Sequence, residues 1–262
     1  MIMKKGSVCL RLFQRAAKKR VFKIGKNIYP FMPIVKVIYL ALNPEEVKKN
    51  GVYRDLSQVL TKLSDPLKEL QKVITVSVKW KPKGKFLVNR SKPELAELLV
   101  KSGEAAGLWV EGTDESGIIP SESEFFQELS PHHPEFLPVS LSQMSPEAHR
   151  KWGIAVRRGG QKWNEPIGVL MTGSLSNHPA PLQPELAEIK RFDEEVIRIF
   201  TNGPFSQLDE VDRSLFKMAQ PEGGWSSHYF LWGIMGDHAA GKLEYYSMPS
   251  PGIGCGVFSF SV

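Results

Sequence analysis

The sequence lacks acidic residues at its start, since the first aspartate or glutamate is Glu45. The 44 residues before it contain ten lysines and arginines. Residues 1–100 carry 22 basic and 7 acidic side chains, whereas residues 101–262 carry 12 and 21, so local balances of +15 and −9 give the formal net charge of +6. A charge distribution of this kind directs one end of a protein toward phosphate groups or anionic lipid.

Cysteine is scarce, with only Cys9 and Cys255 in 262 residues. Two cysteines at opposite ends of a chain, without close Cys or His partners, argue against a disulfide framework and against a zinc site of the usual spacing. The composition therefore favours a reducing compartment, and we expect an intracellular protein, with the cytoplasm favoured. Residues 7–20 are amphipathic and free of acid, which leaves a mitochondrial presequence as the alternative.

Long hydrophobic runs are also missing, because no stretch reaches the roughly 18 apolar residues of a membrane-spanning helix. The best candidate, residues 30–42, contains two prolines and Lys36 and is typical of a buried strand. No uninterrupted apolar segment precedes a cleavage site near the N-terminus, so we expect no secretory signal. A hydrophobic content of 42% in 262 residues is sufficient for a globular core.

Hydrophobic periodicity predicts an α+β protein, with mixed helices, antiparallel hairpins and a C-terminal β-meander. Helical spacing or capping marks residues 8–19, 55–63, 94–103, 121–129, 184–200 and 208–218. Strand patterns mark residues 34–40, 74–80, 86–88, 153–158 and 166–172. The predicted meander comprises residues 227–234, 242–248 and 255–262.

Composition divides the chain into three segments. Residues 1–110 form a basic N-terminal region, residues 111–148 form an acidic and proline-rich connector, and residues 149–262 form a C-terminal α+β region. Prolines in the connector favour extended chain, so a domain boundary is expected there.

Three groups of basic residues are candidates for contact with an anion. The polar face of the N-terminal helix carries Arg11, Arg15, Lys18, Lys19 and Arg20. The tip of a hairpin predicted over residues 74–88 carries Lys81, Lys83 and Lys85. A predicted Gly159-Gly160 turn is flanked by Arg157, Arg158, Lys162 and Trp163. Because cations contact phosphate oxygens and an exposed indole stacks on bases, these groups predict a nucleic-acid-binding surface if they share one face.

No reaction centre follows from the sequence. Ser174 lies after a predicted strand but lacks the Gly-x-Ser-x-Gly pattern of a nucleophile elbow. Two histidine clusters, residues 132–135 and His228 with Asp237 and His238, lack the spacing of a helical zinc site. We therefore predict no catalytic residues, no metal and no cofactor.

The sequence favours a non-enzymatic adaptor or assembly protein that binds nucleic acid through its basic N-terminal half. RNA is the favoured partner, and another polyanion is open as well. The first alternative is a peripheral, matrix-like structural protein that binds an anionic membrane surface through the N-terminal helix. Self-association is compatible with both. The second alternative is an enzyme whose site cannot be recognised from the sequence.

Overall fold

The computed structural model describes residues 21–24, 27–30, 34–42, 47, 52–68, 70, 72–115, 117, 125–126, 128–129, 135–238 and 240–262. The chain divides into two compact units, residues 1–32 and 33–262. The first unit contains an antiparallel pair of strands, β1 (Val21–Ile24) and β2 (Asn27–Pro30). The basic residues of the predicted N-terminal helix lie outside the described residues; they are Arg11, Arg15, Lys18, Lys19 and Arg20.

The second unit is built on an eight-stranded mixed sheet with the strand order β6-β5-β7-β4-β8-β3-β10-β9. In chain order, the strands are β3 (Ile34–Ala41), β4 (Lys72–Ser77), β5 (Phe86–Asn89), β6 (Val110–Thr113), β7 (Glu135–Ser140), β8 (Ile167–Gly173), β9 (Lys242–Ser250) and β10 (Ile253–Ser261). The four inner strands β7, β4, β8 and β3 are parallel. Their last residues therefore meet on one side, the carboxyl end of the sheet, and their first residues meet at the amino end.

The inner strands are buried on both faces, which explains their nearly continuous apolar sequences. All seven residues of β8 are buried, and in β4 only Lys72 is partly accessible. In β3, Val37 and Tyr39 belong to the main hydrophobic cluster, and the alternate residues Ile38 and Leu40 lie on the opposite face. Both faces of the sheet therefore contribute to a core.

The helices with described bounds are α1 (Tyr53–Ser64), α2 (Pro93–Ala105), α3 (Pro146–Gly160), α4 (Gln183–Asn202), α5 (Arg213–Ala219) and α6 (Ser226–Met235). Trp152 of α3, Phe200 of α4 and Phe230 of α6 pack in the main cluster on one face of the sheet. Helices α3 and α6 cross at Gly153 and Gly233. The backbones are so close there that a Cβ at Gly153 would lie 2.2 Å from the Phe230 carbonyl oxygen. This close crossing fixes α6 against the sheet.

The predicted α+β class is confirmed, but the C-terminal strands form a hairpin, β9 and β10, and not a meander. The predicted first strand of the meander, residues 227–234, is part of α6. All ten residues of α6 are buried. A helix without a polar face has no amphipathic period, so its apolar run resembles a strand in the sequence.

Two other strand predictions are wrong. The predicted strand at residues 153–158 belongs to α3, which begins after the capping residue Ser145 and continues to Gly160. The predicted hairpin of residues 74–88 is replaced by two separated strands, because β7 lies between β4 and β5. The second error could not be found from local periodicity, because strand pairing depends on which elements become neighbours.

The sheet draws strands from all three segments that composition distinguishes. β3 to β6 lie largely in the basic region, β7 lies in the connector, and β8 to β10 lie in the C-terminal region. The division of the chain into separate domains at these boundaries stays a prediction.

Candidate ligand site at the carboxyl end of the sheet

A small pocket lies at the carboxyl end of the sheet, where ligands bind in many open sheets of parallel strands. Leu40 comes from β3, Thr172 from β8, and Val78 follows β4. Leu42, Lys79, Phe125 and Glu222 complete the lining. The cavity volume of about 10 Å³ is room for roughly one water molecule.

Thr172 connects the ends of β8 and β4 beneath this pocket. Its hydroxyl donates to the Val76 carbonyl at 3.3 Å and accepts a hydrogen bond from the Val78 backbone N–H at 3.3 Å. The side chain therefore satisfies backbone groups at the point where β4 stops pairing. These two hydrogen bonds fix the start of the segment that carries Lys79 and Lys81.

Lys79 and Lys81 reach the same turn, residues 221–225, which leads into α6. The Lys79 Nζ lies 3.9 Å from the Glu222 Oε1. The Lys81 Nζ donates to the Gly223 carbonyl at 2.7 Å and to the Ser226 hydroxyl at 3.3 Å. The ammonium groups of Lys79 and Lys81 therefore lie beside the consecutive residues Glu222 and Gly223.

Glycine is required at position 223 for this arrangement. Gly223 has a φ of +82°, and a Cβ there would lie 2.8 Å from the Lys81 Nζ. A larger residue would be strained and would also displace the ammonium group. Burial lowers the pKa of Lys81, and the Glu222 carboxylate opposes this shift.

His228 lies in the first turn of α6, enclosed by aromatic rings. Its ring centroid is 5.2 Å from that of Trp225, 5.6 Å from that of Phe200 and 6.1 Å from that of Tyr39. Burial lowers the pKa of His228 to about 4, and the Gly224 backbone opposes the shift. Among the described residues, no hydrogen bond of good geometry reaches either ring nitrogen. His228 is therefore a neutral imidazole at neutral pH.

A second buried titratable group, Asp193 of α4, contacts the segment that follows β8. Its carboxylate accepts hydrogen bonds from the Ser176 N–H at 2.8 Å, the Ser176 hydroxyl at 3.0 Å and the Tyr246 hydroxyl at 3.1 Å. Burial raises the pKa of Asp193 to about 6, although these hydrogen bonds oppose the shift. The carboxylate joins α4, β9 and the segment after β8.

The histidine clusters considered from the sequence do not form metal sites in the described part of the chain. Among the described residues, no three His, Cys, Asp or Glu side chains come together as potential ligands. His228 lies in the first turn of α6, whereas Asp237 and His238 follow the end of this helix, and the helix between them rises by about 10 Å. His132 and His133 lie outside the described residues.

The predicted hairpin-tip residues have different environments in the structure. Lys81 is half-buried at the carboxyl end, and Lys83 is exposed in the same loop. The Lys85 Nζ forms an ion pair of 2.7 Å with the Glu111 carboxylate. Their role in binding nucleic acid stays a prediction, but Lys81 and Lys85 already contact other groups of the protein.

The predicted Gly-Gly tip does not form, since Arg157 and Arg158 lie in the last turn of α3. Arg157 donates to the Ile234 carbonyl at 3.3 Å, and the exposed Lys162 follows the helix. The Trp163 ring lies 4.9 Å from the ammonium group of Lys72, the first residue of β4.

The structure does not bring these two basic groups together. Trp163 contacts the residue that begins β4, whereas Lys81 lies beyond the residue that ends it. They therefore lie at opposite ends of the sheet. Sequence reasoning missed Glu222, for which no motif was present.

None of the described helices combines the length and the apolar character that crossing a bilayer requires. Localisation within the cell stays a prediction. The chain is similar in structure to the uncharacterized protein JW3007 from Escherichia coli K12, with a TM-score of 0.62 and 14% sequence identity. The similarity covers 86% of this chain and 99% of that protein, and at this identity it concerns the fold alone. No curated protein sequence matches the chain.

The predicted non-enzymatic nucleic-acid adaptor is wrong, and the same finding contradicts the structural, membrane-associated alternative. A family profile described as the catalytic LigB subunit of aromatic ring-opening dioxygenase matches residues 128–258. The matched half of the chain includes Thr172, Glu222 and His228 of the carboxyl end. The chain therefore belongs to the family of the catalytic LigB subunit of aromatic ring-opening dioxygenase.

Proposed function

We propose that this protein is an enzyme that acts on a small aromatic compound at the carboxyl end of its sheet. The observation that carries the proposal is the match of residues 128–258 to the profile of a catalytic subunit. The matched segment contributes Thr172 and Glu222 to the pocket.

The lining of the pocket supports an aromatic ligand with a polar substituent. Leu40, Leu42, Val78 and Phe125 provide apolar contacts, whereas Lys79, Thr172 and Glu222 provide polar groups. Apolar walls with a few convergent polar groups are typical of small-molecule sites.

Entry of an aromatic ring requires the pocket to open. The cavity volume of about 10 Å³ is far below the roughly 150 Å³ of an engineered cavity that holds benzene. The Lys79 and Glu222 side chains are partly exposed, and their charged atoms are 3.9 Å apart. Because a loose, partly exposed ion pair separates at little cost, these two side chains are the expected moving parts.

The described residues do not fit the metal ion that this family description suggests. Non-haem oxygenases commonly hold iron with two histidines and one carboxylate. Among the described side chains no such group of three exists, and the ring of His228 is enclosed by Tyr39, Phe200 and Trp225. We therefore derive no step of the reaction through a metal ion.

The test is a reaction assay with the full chain. Phenol, 4-hydroxybenzoate and their dihydroxylated analogues would be mixed with protein under air, once with added Fe²⁺ and once with a chelator. Ring opening is expected to consume dioxygen and to remove the near-ultraviolet absorbance of the aromatic ring. Thr172→Val and Glu222→Gln are expected to slow the reaction at least about tenfold, because each removes a polar group at the pocket.

Lys83→Ala is the matched control, since Lys83 is an exposed residue of the neighbouring loop. Its rate is expected to equal that of the unchanged protein. If no aromatic compound is bound or converted under either condition, the proposed function is wrong.

A further inference from the structure

We infer that Lys79 and Glu222 together hold a hydroxyl group of the aromatic ligand, without the metal ion that the family description suggests. The Lys79 ammonium group would donate a hydrogen bond to the hydroxyl oxygen, and the Glu222 carboxylate would accept one from the hydroxyl O–H. The inference rests on the proposed function for the aromatic part of the ligand. It follows from the charges at the small pocket, from the hydrogen bonds that these charges lack and from the contacts that hold them in position.

Only two of the described residues that line the small pocket are charged, Lys79 and Glu222. The other lining residues are apolar except Thr172, whose hydroxyl already bonds to two backbone groups. Lys81 lines a separate cavity, so it does not contribute to this balance. One positive and one negative charge cancel, and the pocket therefore favours a neutral polar group over a free anion or a free cation.

The two charged groups are close together but do not satisfy each other. The Lys79 Nζ lies 3.9 Å from the Glu222 Oε1, which is within the range of an ion pair but beyond that of a hydrogen bond. In the described part of the chain, no hydrogen bond reaches either charged group. An ammonium group only donates and an ionised carboxylate only accepts, whereas a hydroxyl group does both. A ligand hydroxyl between them would therefore satisfy both groups.

The end of β8 fixes the backbone on both sides of this pair. The Thr172 hydroxyl accepts a hydrogen bond from the N–H of Val78, the residue before Lys79, at 3.3 Å. The Ser174 hydroxyl accepts one from the Glu222 N–H. The backbone is therefore held at neighbouring points of one strand end, whereas the two side chains, 31% and 27% exposed, can separate to admit a ligand.

Lys81 fixes the turn that carries Glu222, although it lines another cavity. Its Nζ donates to the Gly223 carbonyl at 2.7 Å and to the Ser226 hydroxyl at 3.3 Å. These hydrogen bonds join the segment after β4 to the residue that follows Glu222. The carboxylate is therefore held on the same side as Lys79 by contacts outside the pocket.

A divalent metal ion does not suit the same pair. Iron and zinc sites usually contain at least three protein ligands, whereas the described lining of the pocket offers one carboxylate. An ion bound to Glu222 would also lie close to the Lys79 ammonium group and would be repelled by it. The donors at the pocket therefore match a hydroxyl oxygen and not a metal ion.

The experiment is isothermal titration calorimetry with the full chain under nitrogen, once after treatment with a chelator and once with added Fe²⁺ or Zn²⁺. The probes are 4-hydroxybenzoate, benzoate, which lacks the hydroxyl group, and 4-methoxybenzoate, whose ether oxygen cannot donate a hydrogen bond. We expect 4-hydroxybenzoate to bind about tenfold more tightly than either of the other two, because hydrogen bonds to charged groups are the stronger ones. The affinity is expected to be the same with the chelator and with the metal ions.

Substitutions test the two members of the pair. Lys79→Met is expected to weaken binding of 4-hydroxybenzoate about tenfold, and Glu222→Gln about threefold, since the amide oxygen still accepts a hydrogen bond but carries no charge. With both substitutions, 4-hydroxybenzoate should bind no more tightly than benzoate. Lys79→Arg keeps the charge and the donors and is expected to retain most of the affinity.

Lys83→Met is the matched control, because it removes an exposed lysine of the neighbouring loop. It is expected to leave binding of all probes unchanged. Binding of benzoate should be the same in every variant, and circular dichroism would show that each variant is folded.

Three results would overturn the inference and leave an aromatic site in place. They are equal affinities for 4-hydroxybenzoate and benzoate, an effect of Lys83→Met as large as that of Lys79→Met, or a loss of binding with the chelator that a metal ion restores. No binding of any probe would overturn both proposals. A fourth probe, 4-hydroxycyclohexanecarboxylate, tests the proposed function separately. If it binds as tightly as 4-hydroxybenzoate and depends equally on Lys79 and Glu222, the hydroxyl site stands and the aromatic specificity fails.

Discussion

A pair of lysines lies at each end of the central sheet, but the two pairs differ in their acidic partners. At the amino end, the Lys72 Nζ lies 3.0 Å from the Glu165 carboxylate and 3.9 Å from that of Glu135. Lys92 pairs with the other oxygen of Glu135. At the carboxyl end, Lys79 lies 3.9 Å from the Glu222 carboxylate, whereas Lys81 donates to two uncharged oxygens, the Gly223 carbonyl and the Ser226 hydroxyl.

The difference shows that lysine content alone does not identify a binding surface. Two lysines with two carboxylates form a balanced network, which contributes to stability and leaves little attraction for an external anion. At the carboxyl end, Lys79 and Glu222 form a loose ion pair at the small pocket, and Lys81 lines a separate cavity together with Lys85, Glu111 and Glu115. The arrangement of the acidic partners therefore separates a structural end of the sheet from a binding end.

Asp193 is the opposite case, a buried carboxylate without a lysine or arginine beside it among the described residues. Its pKa is raised from the ordinary 3.8 to about 6, so the folded protein binds this proton more tightly than the unfolded chain. This contribution to stability is full below pH 3.8 and is lost as the pH rises through about 6. Over that range the free energy of unfolding is expected to fall by about 3 kcal/mol.

Asp193→Asn tests this expectation, because the amide cannot ionise. Urea unfolding at pH 4, 5, 6 and 7 would give the free energy of unfolding of both proteins. The variant is expected to lack the fall of about 3 kcal/mol that Asp193 causes. Glu104→Gln, at an exposed position of α2, is the control and should keep the pH dependence of the unchanged protein. A constant difference between the Asp193→Asn and unchanged proteins would contradict the assignment.

The class of the fold could be predicted from the sequence, whereas the arrangement of its strands could not. Periodicity located α4 and the strands β3, β8 and β10 because each presents a regular apolar pattern. The parallel order of β7, β4, β8 and β3 depends on long-range pairing, which leaves no local signal. The carboxyl end of the sheet, and with it the site, therefore could not be predicted.

The residues of the site illustrate the same limit. Lys81 was predicted to contact a ligand, but as part of a hairpin tip that the structure replaces with the loop between β4 and β5. Glu222 lies in a glycine-containing turn without a motif, and its significance depends on Lys79, more than 140 positions away in the sequence. Charge counted along the chain does not show which carboxylate meets which lysine in space.

Lys72→Met would test the structural role of the amino end. Only 15% of the Lys72 side chain is exposed, and its removal leaves Glu165 and Glu135 without their shared partner. We expect the free energy of unfolding to fall by about 2 kcal/mol, since a largely buried group loses its charge-assisted hydrogen bond to Glu165 and its ion pair with Glu135. Affinity for 4-hydroxybenzoate is expected to stay unchanged.

The comparison with Lys79→Met makes this test decisive. Calorimetry and urea unfolding on both variants should give opposite results, with a loss of stability at the amino end and a loss of ligand affinity at the carboxyl end. Equal effects of the two substitutions on ligand affinity would remove the distinction between the two ends.

Gly223→Ala, which adds a single methyl group, tests whether the position of the Lys81 ammonium group matters at the carboxyl end. The φ of +82° makes alanine unfavourable by about 1 kcal/mol, and its methyl group would displace the Lys81 ammonium group from its place 2.8 Å away. Gly84→Ala is a matched control, because Gly84 has a φ of +72° and open space around its Cβ position. Both variants should lose similar stability in urea unfolding, but only Gly223→Ala should weaken binding of 4-hydroxybenzoate. If Gly84→Ala weakens binding equally, loop strain and not the position of Lys81 controls the site.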